Sequence, residues 1–244
     1  MPTVSVDGLE RGVSIAVNPT VTLRGWLYQP PGAAASERGV VLTHPHPKLG
    51  GDGHHNNVVA ALAQALAGGD TFPCTVLTFN SRGHGGSSGV STWRGLAERE
   101  DVLGVARWMH ARLGAQSRVA VVGYSFGAAV CGSAVGQLCV LAGGAPAWLA
   151  AYVSISYPVG FVSRLLLGQH IEPTTKITLP KLFVYGGRDQ FSSAASLEHL
   201  FARLPEPKDK VVFSEGDHFW VGAEDTLSNA VAMWLRSCWM RQTA

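Results

Sequence analysis

The chain has 244 residues, of which 46% are hydrophobic and 15% are charged. This length fits one α/β domain, predicted to span residues 1–244, and the composition is that of a compact globule rather than a disordered chain. The formal charge is +2, and lysine and arginine are scattered rather than clustered, so the sequence gives no reason to expect a nucleic acid partner.

Strand and helix patterns alternate along the chain. Residues 21–28 alternate apolar and polar side chains and end at a proline pair, which predicts an antiparallel edge strand. Further strands are predicted over 39–43, 75–79, 118–122, 149–156, 181–185 and 210–213, and helices over 58–66, 96–113, 126–141, 193–204 and 226–240. Such alternation predicts a doubly wound, mostly parallel sheet with an antiparallel N-terminal edge. Ligands of these sheets bind beyond the carboxyl ends of the strands, so the residues that follow each strand are candidate site residues.

A long segment without charge needs a separate explanation. Residues 119–163 contain no charged residue and no histidine, yet glycines, prolines and polar residues interrupt them too often for a membrane-spanning helix. We interpret the segment as two central strands and the helix between them, buried on both faces, and predict no membrane span. Residues 1–7 show no secretory signal and the four cysteines lack C-x-x-C spacing, which favours a cytoplasmic protein with reduced thiols.

Two pentapeptides match the G-x-S-x-G pattern of a nucleophile elbow. The elbow requires a strand that ends at the serine, a helix that begins after it, and small residues on both sides. Gly123-Tyr-Ser-Phe-Gly127 meets all three requirements, whereas Ser87 lies inside a glycine-rich loop several residues after its strand. Ser125 is therefore the predicted nucleophile, the alternative being a structural serine in a tight turn.

A serine nucleophile needs a base to take its proton and a third group to hold that base. Asp189 follows the strand predicted over 181–185, and His218 follows the one over 210–213, so both are expected at the carboxyl edge of the sheet. His199 lies in the middle of a predicted helix, which leaves His218 as the base. Asp189 is the predicted acid because residues 156–158, the other familiar place for it, contain no carboxylate.

The segment H-P-H-P-K-L-G-G-D-G-H-H-N-N, residues 44–57, contains four histidines. His54 and His55 are adjacent and cannot easily ligate one ion together, and no C-x-x-C or H-E-x-x-H lies nearby, so no metal is predicted. The prolines on both sides of His46 lack an N–H group, which leaves the backbone N–H of His46 as a candidate donor to an oxyanion. The second predicted donor is the N–H of Phe126, directly after the serine.

Five motifs in chain order carry a resemblance to a known family. They are Thr43-His-Pro-His-Pro47, Phe79-Asn-Ser-Arg-Gly83, Gly123-Tyr-Ser-Phe-Gly-Ala128, Gly186-Gly-Arg-Asp189 and Gly216-Asp-His-Phe219. From about Val21 onward the chain resembles the α/β-hydrolase superfamily, and within it the small group related to dienelactone hydrolases and acyl-peptidase catalytic domains. The resemblance implies hydrolysis of an ester or related acyl bond through an acyl-serine, without a cofactor, and gives Arg82 and His84 a supporting role. Dienelactone hydrolases proper use a cysteine nucleophile, so Ser125 argues against their particular substrate.

In the superfamily that the chain resembles, large lids are inserted where residues 158–180 stand here, and this short segment predicts a minimal cap. We expect an accessible, partly apolar pocket near Phe126, Phe219, Trp220 and Leu165, although core packing explains Trp220 equally well. The prediction is a carboxylesterase-like serine hydrolase acting on a small-molecule ester with a short or medium acyl group. Two alternatives stay open, a serine peptidase or amidase acting on short peptides and a non-catalytic binding protein of the same fold. The sequence does not predict the oligomeric state.

Overall fold

The computed structural model describes residues 10–30, 37–68 and 74–242. Residues 1–7, on which the prediction about a secretory signal depends, lie outside these ranges. The strands are β1 (Glu10–Asn18), β2 (Val21–Tyr28), β3 (Arg38–Thr43), β4 (Thr75–Phe79), β5 (Arg118–Tyr124), β6 (Leu149–Ile155), β7 (Lys181–Gly186) and β8 (Lys208–Phe213). The helices are α1 (Asn57–Ala67), α2 (Leu96–Leu113), α3 (Phe126–Leu141), α4 (Phe161–Leu167), α5 (Ile171–Thr174), α6 (Ala194–Ala202) and α7 (Glu224–Gln242).

The strands form one sheet in the order β1-β2-β4-β3-β5-β6-β7-β8. The pairs β1–β2 and β2–β4 are antiparallel and the other pairs are parallel, which confirms the predicted fold class. The prediction that β2 is an edge strand is wrong, because β1 pairs with it from Glu10↔Tyr28 to Asn18↔Val21. Alternation of apolar and polar residues indicates that one face of a strand is exposed to solvent. It does not indicate whether another strand pairs with the backbone along its edge. The same alternation at Val13, Ile15 and Val17 marks β1, which the sequence analysis missed.

Apolar side chains pack on both faces of the sheet. Along β5, Val119 and Val121 belong to the core beneath α2 and α3, whereas Ala120 and Val122 belong to the core beneath α1 and α7. Helix α3 is itself buried along most of its length, since the sheet covers one side and α5 packs against another. This double burial explains the uncharged segment, and no helix within the described residues has the length and apolar character needed to cross a membrane.

The segment between β6 and β7 forms only α4, a single turn of 3₁₀ helix and the short α5. Helix α5 lies so close to α3 that only glycine fits at position 136. A Cβ there would lie 1.8 Å from the carbonyl oxygen of Pro173. Helix α4 stands at the carboxyl edge of the sheet and buries only Leu167. The fold therefore has no large cap, as the length of this segment predicted. The four cysteines are all buried.

Candidate active site

The turn between β5 and α3 holds Ser125 in a strained backbone conformation, with φ 57° and ψ −120°. Such a conformation costs a non-glycine residue about 1–3 kcal/mol and persists only where the surroundings impose it. A Cβ at Gly123 would lie 2.3 Å from the carbonyl oxygen of Gly127, and one at Gly127 would lie 2.6 Å from that of Thr43. Both glycines of the pentapeptide are therefore required by steric contact, and the turn presents Ser125 beyond the end of its strand.

The structure brings Ser125, His218 and Asp189 together at the carboxyl edge of the sheet. Ser125 Oγ lies 2.8 Å from His218 Nε2, and His218 Nδ1 lies 2.8 Å from Asp189 Oδ2. The other carboxylate oxygen of Asp189 accepts the N–H groups of Phe191 (2.8 Å) and Ser192 (3.0 Å). Because a carboxylate only accepts, the ring proton of neutral His218 resides on Nδ1, and Nε2 is free to accept the serine hydroxyl.

Four hydrogen bonds hold the loop that carries His218. The carbonyl oxygen of His218 accepts the buried hydroxyl of Tyr124 (2.7 Å), and the N–H of His218 donates to Gln190 Oε1 (3.0 Å). The carboxylate of Asp217 accepts the N–H groups of the two residues after His218, at 2.9 Å each, and the N–H of Trp220 holds the pKa of Asp217 below its usual value. The sequence analysis missed Tyr124 and Gln190, although each adjoins a predicted site residue.

The loop after β3 brings His46 against Phe126, the residue that follows Ser125. His46 has φ −60° and ψ 121°, and its Nδ1 accepts the N–H of Lys48 at 3.1 Å. Its ring stacks on Trp93 with ring centroids 4.8 Å apart and contacts Phe126 at 4.5 Å, and burial lowers the pKa of His46. Within the described parts of the chain, the backbone N–H groups of His46 and Phe126 donate no hydrogen bond.

His44 is fully buried and connects two loops of the site. Its Nε2 accepts the N–H of Ser81 (3.0 Å), and its Nδ1 lies 2.6 Å from the carbonyl oxygen of Pro45, to which it donates. Burial lowers the pKa of His44 to about 4, so the ring is neutral at physiological pH. Both ring nitrogens are used, and the loop after β3 is thereby tied to the loop after β4.

The remaining two histidines of the segment make local contacts. His54 stacks on Trp26 with ring centroids 4.5 Å apart, and its Nδ1 lies 3.3 Å from the hydroxyl of Tyr28. His55 is exposed, with Nδ1 3.2 Å from Asp52 Oδ1, the oxygen that also accepts both of these histidines' N–H groups. In residues 10–30, 37–68 and 74–242, no three His, Cys, Asp or Glu side chains are grouped as metal ligands would be.

A cavity of about 260 Å³ opens beside Ser125 and His218. It is largely apolar, and Phe126 and Phe219 line it as the sequence analysis expected. The other large side chains in its wall are those of Leu49, Trp93, Tyr124, Val162, Leu166, Leu167 and Phe191. Trp93 lies in the long loop between β4 and α2, where no sequence pattern identified it as a pocket residue.

Two of the predicted pocket residues lie elsewhere, and both predictions need correction. Helix α4 turns Val162 and Leu166 toward the cavity, so the helical repeat directs Leu165 to the outside, where it is 73% exposed. Trp220 is buried in the core and its Nε1 donates to Ser156 Oγ at 3.0 Å. Trp220 therefore anchors the loop of His218 to the core and does not line the cavity.

Residues 40–242 match the alpha/beta hydrolase family. The chain belongs to this family. An uncharacterised protein of Mycobacterium tuberculosis, found in two strains, is 31% identical over 208 residues, which are 83% of this chain and 70% of that protein. Two solved structures are similar in fold. A serine hydrolase without lid from Xanthomonas campestris has a TM-score of 0.74 and 23% identity over 96% of this chain and 95% of its own. The esterase Pf2001 of Pyrococcus furiosus has a TM-score of 0.70 and 18% identity over 93% of this chain and 92% of its own.

In this α/β hydrolase, the loop after β4 supports the site from below. Arg82 donates two hydrogen bonds of 2.6 Å to the buried carboxylate of Asp101 in α2. Asn80 accepts the N–H of Gly53 at 2.7 Å, which fastens the histidine-rich segment to the end of β4. Arg82 and Asn80 thus hold the scaffold on which the loop after β3 rests. His84 Nε2 lies 3.8 Å from the carboxylate of Asp52 and is absent from the cavity wall.

Proposed function

We propose that this hydrolase cleaves carboxylic esters with short or medium acyl groups through an acyl-enzyme formed on Ser125. The observation that carries the proposal is the pair of 2.8 Å contacts that link Ser125 to His218 and His218 to Asp189 beside an apolar cavity. A serine hydroxyl is a weak nucleophile until a base takes its proton, and the base works best when a third group orients it.

In the first half of the reaction, Ser125 Oγ attacks the ester carbonyl carbon while its proton moves to His218 Nε2. The carbonyl π bond opens and its electron pair resides on the oxygen. When the carbonyl re-forms, the bond to the alcohol oxygen breaks and His218 gives its proton to the leaving alkoxide. In the second half, water attacks acyl-Ser125, passes a proton to His218, and the acid is released as Ser125 Oγ recovers a proton. Asp189 stabilises the imidazolium that forms in both halves.

The developing oxyanion accepts hydrogen bonds from the backbone N–H groups of His46 and Phe126. The N–H of Phe126 is the first of the 16-residue helix α3, where backbone donors and the helix dipole favour negative charge. The N–H of His46 stands between two prolines, whose rings restrict the backbone on both sides and so keep the donor oriented. Their lack of an acceptor among the described residues supports this role.

The cavity supports a small and uncharged substrate. Its volume of about 260 Å³ lies below the roughly 300–1,000 Å³ typical of pockets for drug-sized ligands. No Asp, Glu, Lys or Arg from the described residues lines it, so a charged acyl group would be desolvated without a partner. Acyl chains packed against Trp93, Phe126 and Leu166 are the substrates we expect.

The Ser125→Ala variant tests the proposal with chromogenic p-nitrophenyl esters of increasing chain length. We expect kcat/KM to fall by about 10⁴-fold or more while the circular dichroism spectrum is unchanged. Ser87→Ala is the matched control, because Ser87 occupies the other G-x-S-x-G pentapeptide and is expected to leave turnover intact. Unchanged ester turnover in Ser125→Ala would contradict the proposal.

Two further measurements separate the proposal from its alternatives. A matched ester and amide of the same acyl group are expected to show turnover of the ester only, whereas a peptidase would cleave both. A fluorophosphonate probe is expected to label the wild type but not Ser125→Ala, whereas a non-catalytic binding protein would remain unlabelled in both forms.

A further inference from the structure

Large apolar side chains surround the mouth of the cavity and project into solvent. We define the apolar rim as Leu49, Trp93, Phe161, Val162, Leu165 and Leu166, each at least 36% exposed. Four of them also line the cavity, and the other two, Phe161 and Leu165, belong to the same helix, α4, so the surface is continuous with the mouth. Contiguous exposed apolar surface of this kind marks a site that another surface covers.

Helix α4 shows the exposure most clearly. A surface helix normally turns its apolar face toward the core and its polar face toward water. In α4 only Leu167 is buried, whereas Phe161 is 87% exposed and Leu165 is 73% exposed. Neither of these two side chains lines the cavity, so the substrate pocket does not explain them.

Three segments form the apolar rim, residues 44–51, 90–97 and 158–170, and their Lys and Arg residues are not accompanied by any Asp or Glu within these segments. Asp52 and Glu98 directly follow two of the segments and are half-buried and buried. The three segments carry Lys48, Arg94 and Arg164, which are exposed, and within the described residues none of the three is paired with a carboxylate. Some cations elsewhere on the surface do have such partners, as in the pairs Lys176–Glu172 and Lys210–Glu198.

We propose that the apolar rim docks this hydrolase on an anionic lipid surface. Apolar side chains enter the boundary between headgroups and acyl chains, and Lys48, Arg94 and Arg164 contact the anionic headgroups. The mouth of the cavity then faces the lipid, so the substrates are esters that reside in that surface; this part rests on the proposed ester hydrolysis.

A second copy of the chain fits the apolar rim less well. In a twofold dimer each partner offers the same surface, so the three cations of one copy would face those of the other. No carboxylate of the three segments is present to compensate, and like charges facing each other across an interface are unfavourable. An anionic lipid surface supplies the missing negative charge.

Vesicle binding tests the docking with Ser125→Ala as the parent protein, so that no ester is consumed. We expect cosedimentation with vesicles that contain one third phosphatidylglycerol, weaker binding to phosphatidylcholine alone, and a decrease with added salt. Adding Phe161→Ser and Leu165→Ser is expected to lower the partition coefficient about 100-fold, roughly tenfold for each side chain. Arg94→Gln with Arg164→Gln is expected to lower it about fivefold for each charge.

The matched control is Val140→Ser with Leu141→Ser, another exposed apolar pair, at the far end of α3, and it is expected to bind as the parent does. Equal loss of binding in the control pair, or equal binding to both kinds of vesicle, would overturn the proposal. So would a dimer in buffer that the substitutions in α4 dissociate.

In the active enzyme, Phe161→Ser with Leu165→Ser is expected to leave turnover of a water-soluble short ester unchanged. Because vesicle binding needs no catalysis, failed docking and failed ester hydrolysis are distinguishable.

Discussion

Acid is expected to destabilise this protein through His44, whose buried ring joins the loops after β3 and β4. The N–H of Ser81 donates to its Nε2, and a ring protonated there could no longer accept it. Burial lowers the pKa of His44 from 6.5 to about 4. The unfolded chain binds a proton as the pH falls below about 6.5 while the folded protein does not, so stability decreases with acid. The loss from this residue is about 2 kcal/mol by pH 5 and about 3 kcal/mol by pH 4.

The variant His44→Gln isolates this contribution, because the amide keeps an acceptor for the N–H of Ser81 and does not titrate. Urea unfolding at pH 7 and pH 5 gives the free energy of unfolding of both proteins. The wild type is expected to lose about 2 kcal/mol more than the variant between these two pH values. The difference between the two losses removes the contribution of the groups that titrate in both proteins. Equal losses would refute the argument that burial keeps His44 neutral.

Two further predictions concern the turn at Ser125 and the hydroxyl of the adjacent Tyr124. A Cβ in Gly127→Ala would lie 2.6 Å from the carbonyl oxygen of Thr43, so we expect ester turnover to fall at least tenfold and Tm to decrease. Gly168→Ala, with open space around its Cβ, is the control that should change neither. Tyr124→Phe removes the hydroxyl that donates to the carbonyl oxygen of His218 and is expected to cost about 1–3 kcal/mol in urea unfolding. An unchanged midpoint would show that this bond contributes nothing to stability.

Features that depend on neighbouring residues could be predicted from the sequence. The alternation of strands and helices indicated the sheet and its double layer of helices, because the periods of 2.0 and 3.6 residues follow from local backbone geometry. The elbow at Ser125 was recognisable because its glycines are required by contacts within the turn and with the adjacent strand end. The positions of Asp189 and His218 near Ser125 could be predicted because the carboxyl ends of parallel strands meet at one edge.

The errors came from features that the pattern of one segment does not contain. The alternation along β2 revealed a solvated face, but only the pairing with β1 showed that its outer edge is occupied. Trp220 follows the predicted base directly, yet its backbone turns it into the core, where Ser156 accepts its indole N–H. Proximity along the chain therefore did not imply proximity to the cavity.

The sequence by itself determined the fold class and the three residues that meet at the carboxyl edge of the sheet. The tertiary structure alone decided which side chains form the pocket and what holds the histidines of residues 44–57. Leu165 and Leu166 are the same residue type and adjacent in sequence, but of the two only Leu166 lines the cavity. The rotation of α4 about its axis determines which of them faces the cavity, and the long-range packing of Leu167 in the core determines that rotation.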